Sequence, residues 1–278
     1  MTSANPAKSL ALSRRGSDRP FYVCLWLLGG VYVVLIVAML WADASFTSPG
    51  HVWRALQSRE IRYAIKLSLV SCSLTTILSL WVAVPLGYLM SRTRFRGRAL
   101  LDAVLDIPIV LPPLVIGLSL LILFQTPPGR ALERLVPITY AVPSIILAQF
   151  MVACAFAVRT MRATFDQISP RQEQVALTLG CRRSQAFWLV VLPEARRGVL
   201  TAATLAWARS LGEFGPILIF SGATRLKTEV LPTTVFLELT TGNIEAAVAV
   251  SLLMVAAALA VLLIIRLYGW EETLGRPL

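Results

Sequence analysis

The chain has 278 residues, of which 56% are hydrophobic and only 15% charged, with a mean hydropathy of +0.72. A soluble domain carries roughly 45–50% apolar and about 25% charged residues, so the composition excludes an ordinary water-soluble globule and points to a membrane protein. The excess of 26 Lys and Arg over 15 Asp and Glu then bears on membrane topology, and no nucleic-acid partner is expected.

Residues 1–20 are polar and basic and read as a cytoplasmic tail without a fixed fold. Crossing about 30 Å of hydrocarbon takes roughly 20 apolar residues in a helix, and residues 21–41 supply the first such run. Ala42-Asp43-Ala44 behind it looks like a cleavage site, but the run exceeds the roughly 7–15 residues of a signal-peptide core, so a retained helix is expected. Further spans are expected at 67–90, 104–125, 137–158, 199–221 and 244–266, making six within a single membrane domain over 21–267. A short tail, 268–278, follows. The fold class is therefore an all-α membrane protein.

The loop "SRTRFRGR" (91–98) behind the second span reads as a basic anchor against anionic headgroups. In the third span, Pro108, Pro112 and Pro113 each lack an N–H, so the carbonyls they leave free need other partners and the helix should be broken or packed on protein. Gly117 permits close approach of a neighbour. A kinked packing helix and a flexible pathway wall fit these residues equally.

Between the fourth and fifth spans lies a polar loop, 159–198. Here Ser169 can cap a helix, with Gln172 completing a capping box and Pro170 at the first helical position. Gly180, just after Leu179, can end it in the left-handed conformation. Val175, Ala176 and Leu179 are expected on one face, suited either to the groove of a soluble partner or to the membrane surface.

The fifth span carries Arg209 and Glu213, four residues apart and able to neutralise each other. A lone charge at mid-bilayer costs about 2.5–3.5 kcal/mol on insertion scales, so pairing is favoured. The pair could line a route or only stabilise assembly. Gly212, Gly215 and Pro216 suggest a bend at this point.

Lys and Arg fix the orientation. Lys8, Arg14, Arg15, Arg19, the four arginines of 92–98, seven from Arg159 to Arg197, Arg266 and Arg276 share one side. The other side holds Arg54, Arg59, Arg62, Arg130, Arg134, Arg225 and Lys227. Both termini and the polar loop therefore face the cytoplasm. Arg225 and Lys227 could attract an anion outside, although a solvated loop explains them as well. Cys24, Cys72, Cys154 and Cys181 have no metal-type spacing and read as small packing residues, and His51 has no ligand partner near it in sequence. No metal is expected.

Three motifs resemble one family. Gln174-Val175-Ala176, Gly180 and Val190-Val191-Leu192-Pro193 match the spacing of the signature of permease subunits of ATP-binding-cassette importers. That signature is Glu-Ala-Ala, three residues, Gly, nine residues, Ile, one residue, Leu-Pro. Gln174 and Val175 depart from its Glu and Ala, and Glu173 stands one position ahead. "RTRFRGRALLDAVLDIPIVLPPLVIGLSLL" (92–121) and "ARSLGEFGPILIFSG" (208–222) are similar to the basic loop, the Pro-Pro helix and the Arg-x-Leu-Gly-Glu-Phe-Gly segment of molybdate and sulfate permeases. Pro216 stands where those permeases commonly have Ala.

The resemblance implies the transmembrane-domain fold of a type I importer, in a bacterial or archaeal cytoplasmic membrane. It implies a permease subunit importing an oxyanion, molybdate first and then tungstate or sulfate and thiosulfate. Its partners would be an ATP-binding subunit, an extracytoplasmic solute-binding protein and a second permease, as a homodimer rather than a heterodimer. Glu173, Gln174, Val175, Ala176, Leu179, Gly180, Leu192 and Pro193 would couple to the ATPase subunit. Arg209, Gly212, Glu213, Phe214 and Gly215, with Pro112 and Pro113, would form a pathway or gate.

No catalytic residue is expected. A phosphate-cradling loop needs Gly, four residues, then Gly-Lys-Ser/Thr, and "SGATRLKT" (221–228) has Leu226 in place of the second glycine. ATP and Mg would belong to the partner, and the chain is expected to need no cofactor of its own. The reading from a different class is a stand-alone secondary transporter using Arg209 and Glu213 as an ion relay.

Overall fold

The computed structural model describes residues 19–274, all of whose regular structure is helical. The tail readings for 1–18 and 275–278 lie outside the described residues. Two units are present. The first contains α1 (Arg19–Phe46), a helix apolar on every side, as a lipid-facing span requires.

The second unit contains α2 (Pro49–Gln57), α3 (Arg59–Arg92), α4 (Arg98–Val110), α5 (Pro113–Gln125), α6 (Pro127–Leu135) and α7 (Val142–Gln167). Then come α8 (Pro170–Thr178), α9 (Arg183–Ala186), a π-helical turn at Phe187–Val191 and α10 (Leu192–Glu194). The unit closes with α11 (Arg196–Leu211), α12 (Gly215–Phe220), α13 (Leu231–Thr240) and α14 (Ile244–Leu274).

The parallel pair α3 and α7, in which Thr75 meets Gln149 and Tyr88 meets Phe165, is the centre of this unit, and α11 packs on both. Their seam uses small residues, Ala83, Ala153, Ala157, Ala202 and Ala206, all fully buried, with Met90, Met161 and Phe165 filling one end. Small side chains let helices in lipid approach closely enough for dispersion to hold them. A polar thread runs through the same seam. Thr75 donates to Gln149 Oε1 at 3.1 Å, and Gln149 Nε2 donates to the Ser210 carbonyl at 3.2 Å. These bonds tie α3, α7 and α11 together where water cannot compete.

Six unbroken spans are not what forms. Among the described residues, four helices are long and apolar enough to cross a membrane, namely α1, α3, α7 and the part of α14 over Ile244–Leu263, or five if the bent pair α4–α5 is one span. The expected span 104–125 is broken at Leu111-Pro112, with 111° between α4 and α5. Pro112 is the N-cap of α5 and Pro113 its first residue, so the proline pair starts a new helix instead of kinking an old one. The expected span 199–221 stops at Leu211 and resumes at Gly215. The fourth span begins later than expected, at Val142, and runs to Gln167, inside the expected loop. The last helix continues to Leu274, through most of the expected 268–278 tail.

At 34 residues, α3 is about 50 Å long. It therefore overruns the hydrocarbon, and its basic end reaches the polar loop.

Candidate functional site

Two places carry the residues singled out above: the polar loop, and the break between α11 and α12. In the loop, Ser169 caps α8, but its hydroxyl accepts from the Arg171 N–H at 3.4 Å rather than from Gln172, so the expected capping box does not form. The other end is built as expected. Gly180 has φ +92°, the Gly180 N–H donates to the Leu177 carbonyl and the Cys181 N–H to the Ala176 carbonyl, each at 3.1 Å. This paired bonding closes the last turn and needs a residue that tolerates positive φ.

The expected single apolar face divides. Ala176 is 7% exposed and turned inward, whereas Val175 and Leu179 are 57% and 80% exposed on the outer side. Gln174 and Gly180 are exposed as well, and Pro193 lies exposed after half-buried Leu192 in α10. Trp188 and Leu189 of the π-helical turn add 64% and 70% exposed apolar surface.

Glu173 turns the other way. The Tyr88 hydroxyl donates to its Oε1 at 2.5 Å, and Arg92 Nε lies 3.4 Å from its Oε2. Arg92 also donates to the Ile168 carbonyl at 2.9 Å. Beside these groups an open groove of about 1130 Å³ is lined by Trp81, Pro85 and Leu89 of α3, Leu177 of α8 and Trp188.

In the break, Glu213 is 1% exposed and its carboxylate lies 2.6 Å from Arg209 Nη1. Arg209 is the last-turn cation of α11, and its guanidinium sits 5.9 Å from the Phe156 ring centroid. Gly212 is the C-cap of α11, so Glu213 and Phe214 lie in the connection rather than on a helix. The proline pair is brought to the same place. A Cβ added at Gly215 would come within 3.0 Å of Pro113 Cβ, and one at Gly117 within 2.8 Å of Pro216 Cα. Here α5 and α12 touch backbone to backbone, and only glycine fits at Gly117.

Several functional contacts were not anticipated. Arg162 and Arg159 form ion pairs with Asp102 and Asp106, fastening α4 to α7. The signal was present as two carboxylates four apart in the middle of α4, on one helical face. His51 Nε2 lies 3.1 Å from Glu245, and Arg225 pairs with Glu238 at 2.8 Å, so Arg225 is engaged rather than free. Among the described residues no three His, Cys, Asp or Glu side chains are placed to hold a metal ion, and all four cysteines are unpaired.

Comparison with known proteins places this geometry. Residues 83–270 match the family model described as "Binding-protein-dependent transport system inner membrane component". The chain belongs to that family. It is 32% identical to the sulfate transport system permease protein CysT of Escherichia coli, over 92% of this chain and 90% of that one. It is 33% identical to the molybdenum transport system permease protein ModB of Mycobacterium tuberculosis, over 89% and 94% of the two chains. A probable molybdenum ABC transporter permease of Haloferax volcanii is 33% identical, over 88% and 90%. Among solved structures, a chain of a bacterial alginate ABC transporter in complex with its periplasmic protein superposes with a TM-score of 0.74. It covers 92% of this chain and 96% of that one, at 17% identity. The fold is thus that of importer permeases, and the chain is a multi-pass inner-membrane permease subunit. Members of this permease family carry no ATPase site of their own.

Proposed function

We propose that the chain is the permease subunit of an ATP-driven importer for a tetrahedral oxyanion, with molybdate first and tungstate or sulfate next. The observation that carries this is its similarity, over about nine tenths of both chains, to sulfate and molybdenum permeases. The cytoplasmic helix supports it. A rod with outward Val175 and Leu179, stopped by Gly180, is a convex apolar knob suited to a protein groove. In this reading it docks in an ATP-hydrolysing subunit, with Gln174, Val175, Leu179 and Gly180 on the docking side. Glu173 and Ala176 face the membrane domain and hold the rod to it.

A solute-binding protein would deliver the anion outside, and two copies of the chain would form the pathway. Both broken segments would then cross the bilayer, so six crossings leave both termini in the cytoplasm, as the Lys and Arg distribution demands. The contact of α5 with α12 next to Arg209 and Glu213 would be the gate. Two short helices meeting at glycines can shift as rigid pieces about their joints.

The test is uptake into vesicles holding the permease, its ATPase subunit and ATP, supplied with molybdate-charged binding protein. Molybdate should accumulate only with all components. Accumulation without the ATPase subunit, driven by an ion gradient, would overturn the proposal in favour of a secondary transporter.

A further inference from the structure

We infer that Tyr88 and Arg92 are positioning residues that, through Glu173, tie the cytoplasmic helix α8 to the membrane helix α3 and carry motion between them. The inference rests on the coupling role proposed above for α8 and assigns the residues that transmit it.

Three observations carry it. The first is geometry. Glu173 receives the Tyr88 hydroxyl at 2.5 Å and faces Arg92 at 3.4 Å, while Arg92 also holds the Ile168 carbonyl between α7 and α8. The last turn of α3 thus grips both the start of the rod and the link that leads into it. Hydrogen bonds to an ionised carboxylate are roughly twice as strong as neutral ones. The Arg92 and Glu173 side chains are only 13% exposed, so water and salt screen them little.

The second is what surrounds them. The groove beside the contact is lined from both α3 and α8, so the two helices are not held together by close apolar packing there. Of α8, only Ala176 is buried. The polar grip is therefore the direct link between rod and span. Third, the grip is stiff on its membrane side. Tyr88 packs edge-on against Phe165 and Phe187 at 5.6 and 4.7 Å between centroids. A Cβ at neighbouring Gly87 would meet Met161 Cβ and the Arg162 backbone at 2.9 Å, so α3 and α7 move as one body at this level. A displacement of α8 thus acts on the central helix pair instead of dissipating in a loop.

The test measures molecules of molybdate imported per ATP hydrolysed in the reconstituted complex, supplied with molybdate-charged binding protein. Tyr88→Phe keeps the ring and its packing and removes one hydroxyl. It should leave co-purification of the ATPase subunit and basal hydrolysis unchanged while lowering import per ATP by about five- to tenfold. Glu173→Gln should do the same, and the double variant should be no worse than either single one, because both remove one contact. A Tyr88→Phe ratio equal to that of the unaltered protein would overturn the inference, as would effects that multiply in the double variant. If Glu173→Gln fails to assemble, Tyr88→Phe alone decides. Failure of the unaltered complex to couple hydrolysis to import would strike the parent proposal instead.

Discussion

Two arginine–glutamate pairs in this molecule look alike and do different things. Arg209 and Glu213 are four residues apart in the chain, and the carboxylate is shut away from solvent. Arg92 and Glu173 come from different helices, joined by a tyrosine that is 85 residues from the glutamate in sequence. The first pair is complete as soon as the local chain forms, so it can neutralise itself before tertiary packing, as insertion into lipid favours. The second exists only after α8 folds back on α3, and it reports and constrains their relative position. A local pair solves a solvation problem; a distant pair transmits position.

The contrast can be broken experimentally. The largest expected effect is at the local pair. Glu213→Ala strands Arg209 and should destabilise the folded permease by about 3–5 kcal/mol, whereas adding Arg209→Ala should recover much of the loss. Thermal unfolding in detergent, with the amount assembled in membranes, measures both, and equal behaviour of the two variants would mean the pair contributes nothing. Next comes Gly117→Val, which forces side-chain atoms into the Pro216 backbone and should cost about 1–3 kcal/mol by overpacking. Separation of α5 and α12 would be read by cysteine cross-linking between them.

Gly180→Leu should cost about 1–3 kcal/mol through its φ of +92°. Because that strain falls on α8 alone, the membrane domain should stay folded while ATP-linked uptake is lost. Normal uptake by this variant would count against docking through the rod. A smaller effect is expected at Glu229, in the connection between α12 and α13. Burial pushes its carboxyl upward, partly opposed by the Arg225 guanidinium. Raised above its unfolded value, the group stabilises fully below the unfolded carboxylate range and loses that contribution as pH rises through its folded pKa. Glu229→Gln should therefore flatten the fall in melting temperature on raising the pH through and above the carboxylate range, with little effect at acid pH. The smallest change is expected for Asp106→Asn, whose partner Arg159 is largely exposed, at about 0–1 kcal/mol in the same melting assay.

Legibility followed distance along the chain. Ser169, Pro170 and Gly180 announced the ends of α8 because capping is written within a few residues of where it acts, and even there the hydroxyl chose Arg171 over Gln172. The prolines at 112 and 113 signalled a break, but not a 111° turn, since the angle depends on what α5 packs against. The expected apolar face of α8 failed for a related reason. Residues adjacent in sequence stand 100° apart around the rod, so Ala176 and Val175 could be sent to opposite environments once α8 settled against its neighbours. The ion pairs of Asp102 and Asp106 were half visible, as two carboxylates on one face without their arginines.

By itself the amino-acid sequence determined the solvent of this protein, its apolar helices, the Arg209–Glu213 pair and the helix–glycine segment of the polar loop. All of these depend on composition or on neighbours within a turn or two. Only the tertiary structure decided that Glu173 faces α3 rather than outward, that two expected spans are broken, and that Gly117 and Gly215 bring those broken spans into contact. The physical reason is that helix formation and lipid partition are local free energies. A contact between helices is fixed only when distant surfaces meet and exclude every other arrangement.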